Sequence, residues 1–133
     1  MQVSTDGVFS GSKGGYTEGD PPDATDVYEI SKYLGEVRYR HTITLRTSIV
    51  GHELRTSHGL LGWFLSQEKH CKCFSRVVFS GLPAVVLAQI VRDVVLPRPE
   101  LSGLCHVGAQ PITKCDLLRL IANVYGKSIE MVP

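Results

Sequence analysis

The chain has no glycine-rich turn of the form G-x-x-G-x-x-G or G-x-x-x-x-G-K-[ST], the backbone cradles that receive nucleotide phosphates at the start of a helix. Gly11-Ser12-Lys13 comes nearest, but it lacks the required spacing and is not followed by a helix pattern. Long apolar runs are also missing. The longest, such as Leu82–Ala88, are interrupted by Pro83 or bounded by polar residues, well short of the roughly 18 positions that span a bilayer. No basic-then-apolar leader pattern opens the chain, so a cytoplasmic location and no membrane partner are expected. Neither sign of charge dominates: 14 Lys and Arg stand against 13 Asp and Glu, for a net charge of +1, which provides no electrostatic footprint for nucleic acid. Cysteine is scarce at four residues, and Cys71-Lys72-Cys73 with His70 and His106 lacks the C-x-x-C spacing of a metal site. No metal is therefore expected, and the thiols read as reduced and structural, with Cys105 in a strand and Cys115 on an apolar helix face.

What is present is an alternation of strands and helices. Met1–Ser4 reads as a strand stub, followed to about Asp23 by a loop rich in Gly, Asp, Pro and Ser with no sustained period. Asp23 or Thr25 can cap a helix to about Arg38, with Val27, Ile30, Leu34 and Val37 as its apolar stripe and Tyr28, Lys32 and Gly35 on a neighbouring face. Thr42–Arg46 reads as a strand, Leu60–Gln67 as a short helix with the only tryptophan, Arg76–Phe79 as a strand, and Val85–Val95 as a helix apolar on most sides. Gly103–Val107 reads as a strand. Thr113-x-x-Asp116 opens a helix to Tyr125, with Leu117, Leu118, Leu120, Ile121 and Val124 as its buried face, Gly126 as its exit and Ser128–Val132 as a last strand. Such interleaving predicts an α/β fold with crossover connections.

Tyr28 and Lys32 stand four apart on the first helix, so both project from one face about one turn apart. A tyrosine beside an ammonium is a candidate proton donor, because the cation favours the phenolate. The spacing alone is weak, since about 0.2 such pairs are expected by chance in this composition. Its order relative to other segments carries more: STDGVFSG at 4–11, YTEGDPP at 16–22, YEISKYLGE at 28–36, LRTSIVG at 45–51, FSGLPAVVLAQIVRDVV at 79–95 and the stretch 101–133. In this series the chain resembles the extended short-chain dehydrogenase/reductase superfamily, also described as NAD-dependent epimerase/dehydratase, and within it the dTDP-4-dehydrorhamnose reductase-like branch.

The resemblance implies the carboxyl-terminal part of a Rossmann-type doubly wound parallel sheet, in which the strands near 1–4, 43–47 and 103–107 share one sheet, plus a small substrate-binding lobe. Residues 1–51 would be a Rossmann remnant with the catalytic helix, 52–102 mostly the substrate-binding lobe, and 103–133 the last Rossmann strand and helix returning to that lobe. It further implies an NAD(P)-dependent reductase of a nucleotide-sugar 4-keto group, with NAD or NADP as cofactor. Tyr28 would be the acid, Lys32 its tuner and a ribose ligand, and Thr5 would orient the substrate oxygen. Asp6, Val8 and Phe9 would border the substrate, and Arg46, Thr47 and Ser48 the cofactor. As bare sequence, Thr47 and Ser48 are a strand end, and Arg46 and His52 suit a salt bridge or surface role at least as well as a phosphate contact.

Two departures bear on function. Glu29 replaces the glycine common after the active tyrosine, which puts a carboxylate within reach of Lys32 at i,i+3. Around residues 71–73 the small residues of relatives are replaced, in what reads as a surface loop. The absent glycine turn implies that the amino-terminal dinucleotide-binding half is lacking, so the chain in isolation is expected to be inactive. It would need that half, or would self-associate through an exposed sheet edge. The alternatives are a nucleotide-sugar epimerase or dehydratase, a non-catalytic regulatory subunit of the same fold, and a degenerate product without a role of its own.

Overall fold

In the computed structural model, which describes residues 1–132, the elements follow in this order. Strand β1 (Gln2–Ser4) leads through a 3₁₀ turn (Asp6–Val8) to α1 (Val27–Leu34), β2 (Ile43–Arg46), β3 (Ile49–Val50) and α2 (Leu60–Ser66). Then come β4 (His70–Lys72), β5 (Val78–Phe79), β6 (Leu82–Pro83) and α3 (Ala84–Ile90), which continues as a π-helical segment over Val91–Val95. The chain ends with β7 (Gly103–His106), β8 (Ile112–Thr113), α4 (Lys114–Tyr125) and β9 (Glu130–Val132). This is a mixed α/β fold that divides into two compact units, one of Met1–Ser48 with Val85–Gly108, the other of Ile49–Ala84 with Ala109 onward.

The first unit is built on the parallel sheet β1-β2-β7, the three strands expected to share one sheet. In register, Ser4 stands beside Arg46 and Arg46 beside His106, so three polar residues line up at the carboxyl ends of the strands. All four residues of β2 are buried, as suits a strand with neighbours on both sides. Side-chain alternation divides its two faces. Ile43 and Leu45 form the core with Val95, Val91 and Leu101. Thr44 and Arg46 take the other face, where the Thr44 hydroxyl donates to the Val37 carbonyl at 2.9 Å.

Helix α1 is shorter than its sequence pattern suggests. Asp26, rather than Asp23 or Thr25, is the cap, accepting from the Tyr28 and Glu29 amides. Asp23 is engaged by the preceding loop, where it accepts from the Ser10 amide and from the hydroxyls of Ser10 and Tyr16. The helix stops at Leu34 because Gln2 takes over: its side chain donates to the Gly35 carbonyl and accepts from the Val37 amide, both at 2.7 Å. The apolar stripe is not a core face. Val27 is 83 % and Leu34 76 % exposed, and no residue of α1 is buried. The segment 84–95 is likewise one-sided, burying Leu87 and Val95 while Val85 and Val94 face solvent.

The second unit holds the larger core, of Leu61, Phe64, Cys71, Cys73, Cys115, Leu117, Leu118 and Ile121. Its short strands pair as β3 with β6 and β4 with β9, both parallel, and β5 with β8 antiparallel. Helix α4 begins at the expected cap: the Thr113 hydroxyl oxygen accepts from the Asp116 amide and donates to its carboxylate. It ends at Gly126, whose φ of +61° is left-handed backbone. Leu120 and Val124, expected on its buried face, are exposed, while Cys115, expected on its apolar side, is buried in the core.

The cysteines differ most from expectation. Cys73 and Cys115 form a disulfide with their Cα atoms 4.7 Å apart, and only Cys71 and Cys105 are free. Nor do residues 71–73 form a surface loop, since both cysteines there are buried. The backbone brings the pair together: Lys114 donates to the Val77 carbonyl and Cys115 to that of Phe74, which sets the start of α4 against the chain leaving β4. Burial pushes the free Cys71 thiol above its ordinary pKa, keeping it protonated.

Candidate functional site

The sequence-predicted residues gather in the first unit, at the carboxyl ends of its parallel strands and on α1. Thr5 follows β1 directly and caps the 3₁₀ turn, its hydroxyl oxygen accepting from the Gly7 amide at 3.0 Å. Asp6 accepts a hydrogen bond from the Ser48 hydroxyl, which ties the turn after β1 to the residues after β2. Thr47, buried, donates to the Ser48 carbonyl. Val8 is buried, and its carbonyl accepts from Asp23 and Ala24, closing the base of the loop between them.

On α1, Tyr28 is 64 % exposed, and its hydroxyl has no hydrogen-bond partner among the described residues. Lys32 reaches back over β1, with Nζ 3.4 Å from the Val3 carbonyl, two residues before Thr5. Glu29 forms no ion pair with Lys32 among the described residues. It lies against the 3₁₀ turn, where a Cβ added to Gly7 would come within 3.3 Å of its carboxylate oxygen.

Arg46 turns inward. Its guanidinium is 1 % exposed, with Nε and Nη2 donating to the two oxygens of Glu36 at 2.7 and 2.8 Å, so the structural ion pair weighed against a phosphate contact is the arrangement observed. Glu36 is as deeply buried and also accepts from the Ser4 hydroxyl at 2.9 Å. Burial raises the Glu36 carboxyl pKa, but the bonds from Arg46 and Ser4 and the Arg46 charge outweigh it and hold the group below its ordinary value.

Phe9 covers the other side of Arg46, its ring centroid 5.1 Å from the guanidinium carbon. It stacks on Tyr16 at 4.3 Å and meets the His106 ring edge-on at 5.5 Å. Glu18 accepts from the His106 amide at 2.8 Å, fastening the loop to the end of β7, and this bond lowers the pKa of its carboxyl. The buried Arg46 Nη1 and His106 Nε2 have no partner among the described residues.

His52 belongs to the second unit, where its Nε2 lies 2.7 Å from the Tyr125 hydroxyl. Sequence reasoning missed Ser4, Glu18, Glu36 and His106. A signal for Glu36 existed in its position four residues after Lys32, one helical turn along. His106 gave none, because its importance comes from the β2–β7 register.

No protein-family model matches the chain, and no curated protein does. Solved structures do. A hypothetical dTDP-4-dehydrorhamnose reductase from Sulfolobus tokodaii matches with a TM-score of 0.79 and 27 % identity, over 98 % of this chain and 48 % of that protein. A dTDP-4-dehydrorhamnose reductase from Clostridium acetobutylicum matches with a TM-score of 0.83 and 22 % identity, over 99 % of this chain and 49 % of its own. A third, from Bacillus anthracis and in complex with NADP, matches with a TM-score of 0.76 and 19 % identity, over 98 % and 49 %. The chain therefore spans about half the length of the solved structures it matches, and nearly all of it takes part in the likeness.

Proposed function

We propose that this chain, a structural relative of the dTDP-4-dehydrorhamnose reductases within the extended short-chain dehydrogenase/reductase superfamily, supplies the catalytic helix and substrate-facing part of an NAD(P)-dependent reductase of a nucleotide-sugar 4-keto group. The observation that carries the reading is the joint position of Tyr28, Lys32 and Thr5. Two come from one helix face and the third from the strand end over which Lys32 reaches, in a fold that matches those reductases from end to end of the chain.

In such a reaction the nicotinamide supplies hydride to the carbonyl carbon. The residues of this chain handle the oxygen. Tyr28 gives the proton, and its exposed, unpartnered hydroxyl is free to meet a substrate. Lys32 lowers the cost of the phenolate that remains and, with Thr47 and Ser48, would hold the nicotinamide ribose and amide. Thr5 donates to the carbonyl oxygen and orients it, while Asp6, Val8 and Phe9 border the sugar. These residues suit the nicotinamide end of the cofactor, since they present hydroxyls and one cation at the carboxyl ends of parallel strands, where ligands of open α/β sheets bind. Nothing in the sequence resembles the glycine turn that receives the pyrophosphate. The reaction needs those pyrophosphate contacts beside the residues named here, and a dinucleotide-binding half of the same fold would supply them.

The test is to join the chain to the dinucleotide-binding half of a related reductase and follow reduced nicotinamide on adding dTDP-4-dehydrorhamnose. Consumption that depends on both the sugar and this chain supports the reading. A folded fusion that binds NADPH and never consumes it overturns the reading in favour of a binding module.

A further inference from the structure

One buried carboxylate touches all three segments that carry the candidate site. Glu36 stands four residues after Lys32, just beyond the last turn of α1. One of its oxygens accepts from Ser4 and from Arg46 Nε, the other from Arg46 Nη2. Ser4 immediately precedes Thr5, and Arg46 immediately precedes Thr47 and Ser48. We propose that Glu36 is the positioning residue of this site, holding α1 at a fixed height over the ends of β1 and β2, so that Lys32, Thr5 and Ser48 keep one mutual geometry.

Three features support this. First, no residue of α1 is fully buried, so apolar packing holds its height only weakly and directional polar bonds gain in importance. Second, the fork of Arg46 on Glu36 is bidentate and its two side chains are almost wholly buried, which makes it directional and keeps competing water out. Third, the Ser4 bond adds a third direction, so the carboxylate cannot turn about the fork axis without losing a partner. The charged groups facing Glu36 are Arg46 from β2 and Arg38 from the segment after α1, the latter at 3.7 Å and itself exposed; β1 contributes only the Ser4 hydroxyl. Gln2 braces the same segment through Gly35 and Val37 but does not reach Glu36, so it can support the helix end without setting the carboxylate.

The proposal rests on the reading of Tyr28, Lys32 and Thr5 as the reacting groups, but its test needs no turnover. In an NMR titration of this chain, the Lys32 Nζ, Thr5 amide and Ser48 amide signals should shift together, with one midpoint equal to that of the Glu36 carboxyl carbon, while the core signals of the second unit stay in place. Glu36→Gln should abolish that shared midpoint and leave the other carboxylates titrating as before. Should Glu36→Gln fail to fold, Ser4→Ala removes one bond only and should still move the Lys32 Nζ signal across the sheet end. Lys32 and Ser48 signals that stay still while Glu36 titrates, or that keep the same midpoint in Glu36→Gln, overturn the proposal. Failure here leaves the reductase reading standing, and a fusion without turnover leaves this coupling to be seen or not seen on its own.

Discussion

Replacing Arg46 by methionine should cost far more stability at neutral pH than in acid. In the parent chain the Glu36 carboxyl has a folded pKa below its ordinary value, so it contributes stability above the unfolded pKa and loses it as pH falls through the folded one. Arg46→Met removes the bidentate partner and leaves the Ser4 hydroxyl with the exposed Arg38 at 3.7 Å. Burial then wins, and the folded pKa moves above the unfolded one. The group's contribution changes sign: it favours the fold below the unfolded pKa and opposes it as pH rises through the raised value. At pH 7 a buried carboxylate without its partner costs about 3–5 kcal/mol, a large share of the roughly 5–15 kcal/mol that holds a domain together. Near pH 4 the carboxyl neutralises and the difference from the parent should shrink to about 1–2 kcal/mol, close to the loss of hydrogen bonds alone. Other carboxylates held low, such as Asp20 at about 2, destabilise parent and variant alike in acid, so the difference between the two is the quantity to read. Urea melts at the two pH values measure it. A variant penalty that stays constant or grows on acidification would refute the buried-pair reasoning, as would a penalty under about 1 kcal/mol at pH 7.

Other outcomes follow from the same structure. The Cys73–Cys115 disulfide closes a 42-residue separation, so reducing it should cost about 4 kcal/mol on the chain-entropy account, and alkylation of the denatured, unreduced chain should label only Cys71 and Cys105. Four labelled cysteines before reduction would remove the bond from the account. Gly62→Ala would place a Cβ 2.8 Å from the Ser57 Cα. The overpacking, about 1–3 kcal/mol, should exceed the gain of up to about 1 kcal/mol in helix propensity, and a variant that melts later than the parent would contradict the close approach seen here.

The bounds of helix α4 were legible in the sequence because what sets them is local, the Thr113–Asp116 cap and the left-handed Gly126, whereas its buried face was legible only in part, Leu120 and Val124 being exposed. The parallel grouping of β1, β2 and β7 came from the family resemblance and from nothing in the strands themselves. Helix α1 misled at both ends, since Asp23 is a good cap by composition but its carboxylate is held by Ser10 and Tyr16, and Gln2 ends the helix from 33 residues away. Its apolar stripe had the period of a core face, yet periodicity reports only that one side is apolar and not what lies against it. The disulfide was hidden for the opposite reason, because its cysteines are far apart in sequence and meet only once β4 and α4 are packed. For the site, Thr5, Tyr28 and Lys32 are proposed on the family resemblance and the order of its segments. The buried network behind them could not be read from the sequence, because Ser4, Glu36 and Arg46 converge through sheet register and not through any local pattern.

The central claim, that Tyr28 delivers the proton in reduction of a nucleotide-sugar 4-keto group, is tested most directly by turnover of Tyr28→Phe. The chain joined to a dinucleotide-binding half is assayed with reduced nicotinamide and dTDP-4-dehydrorhamnose, beside the unsubstituted protein. The account predicts turnover by the unsubstituted protein and a fall of roughly 10²–10⁴ in the variant, with its melting unchanged because the hydroxyl bonds nothing in the described fold. A Tyr28→Phe protein that reduces the sugar as fast as its parent, or a parent that binds both ligands and reduces nothing, would contradict it.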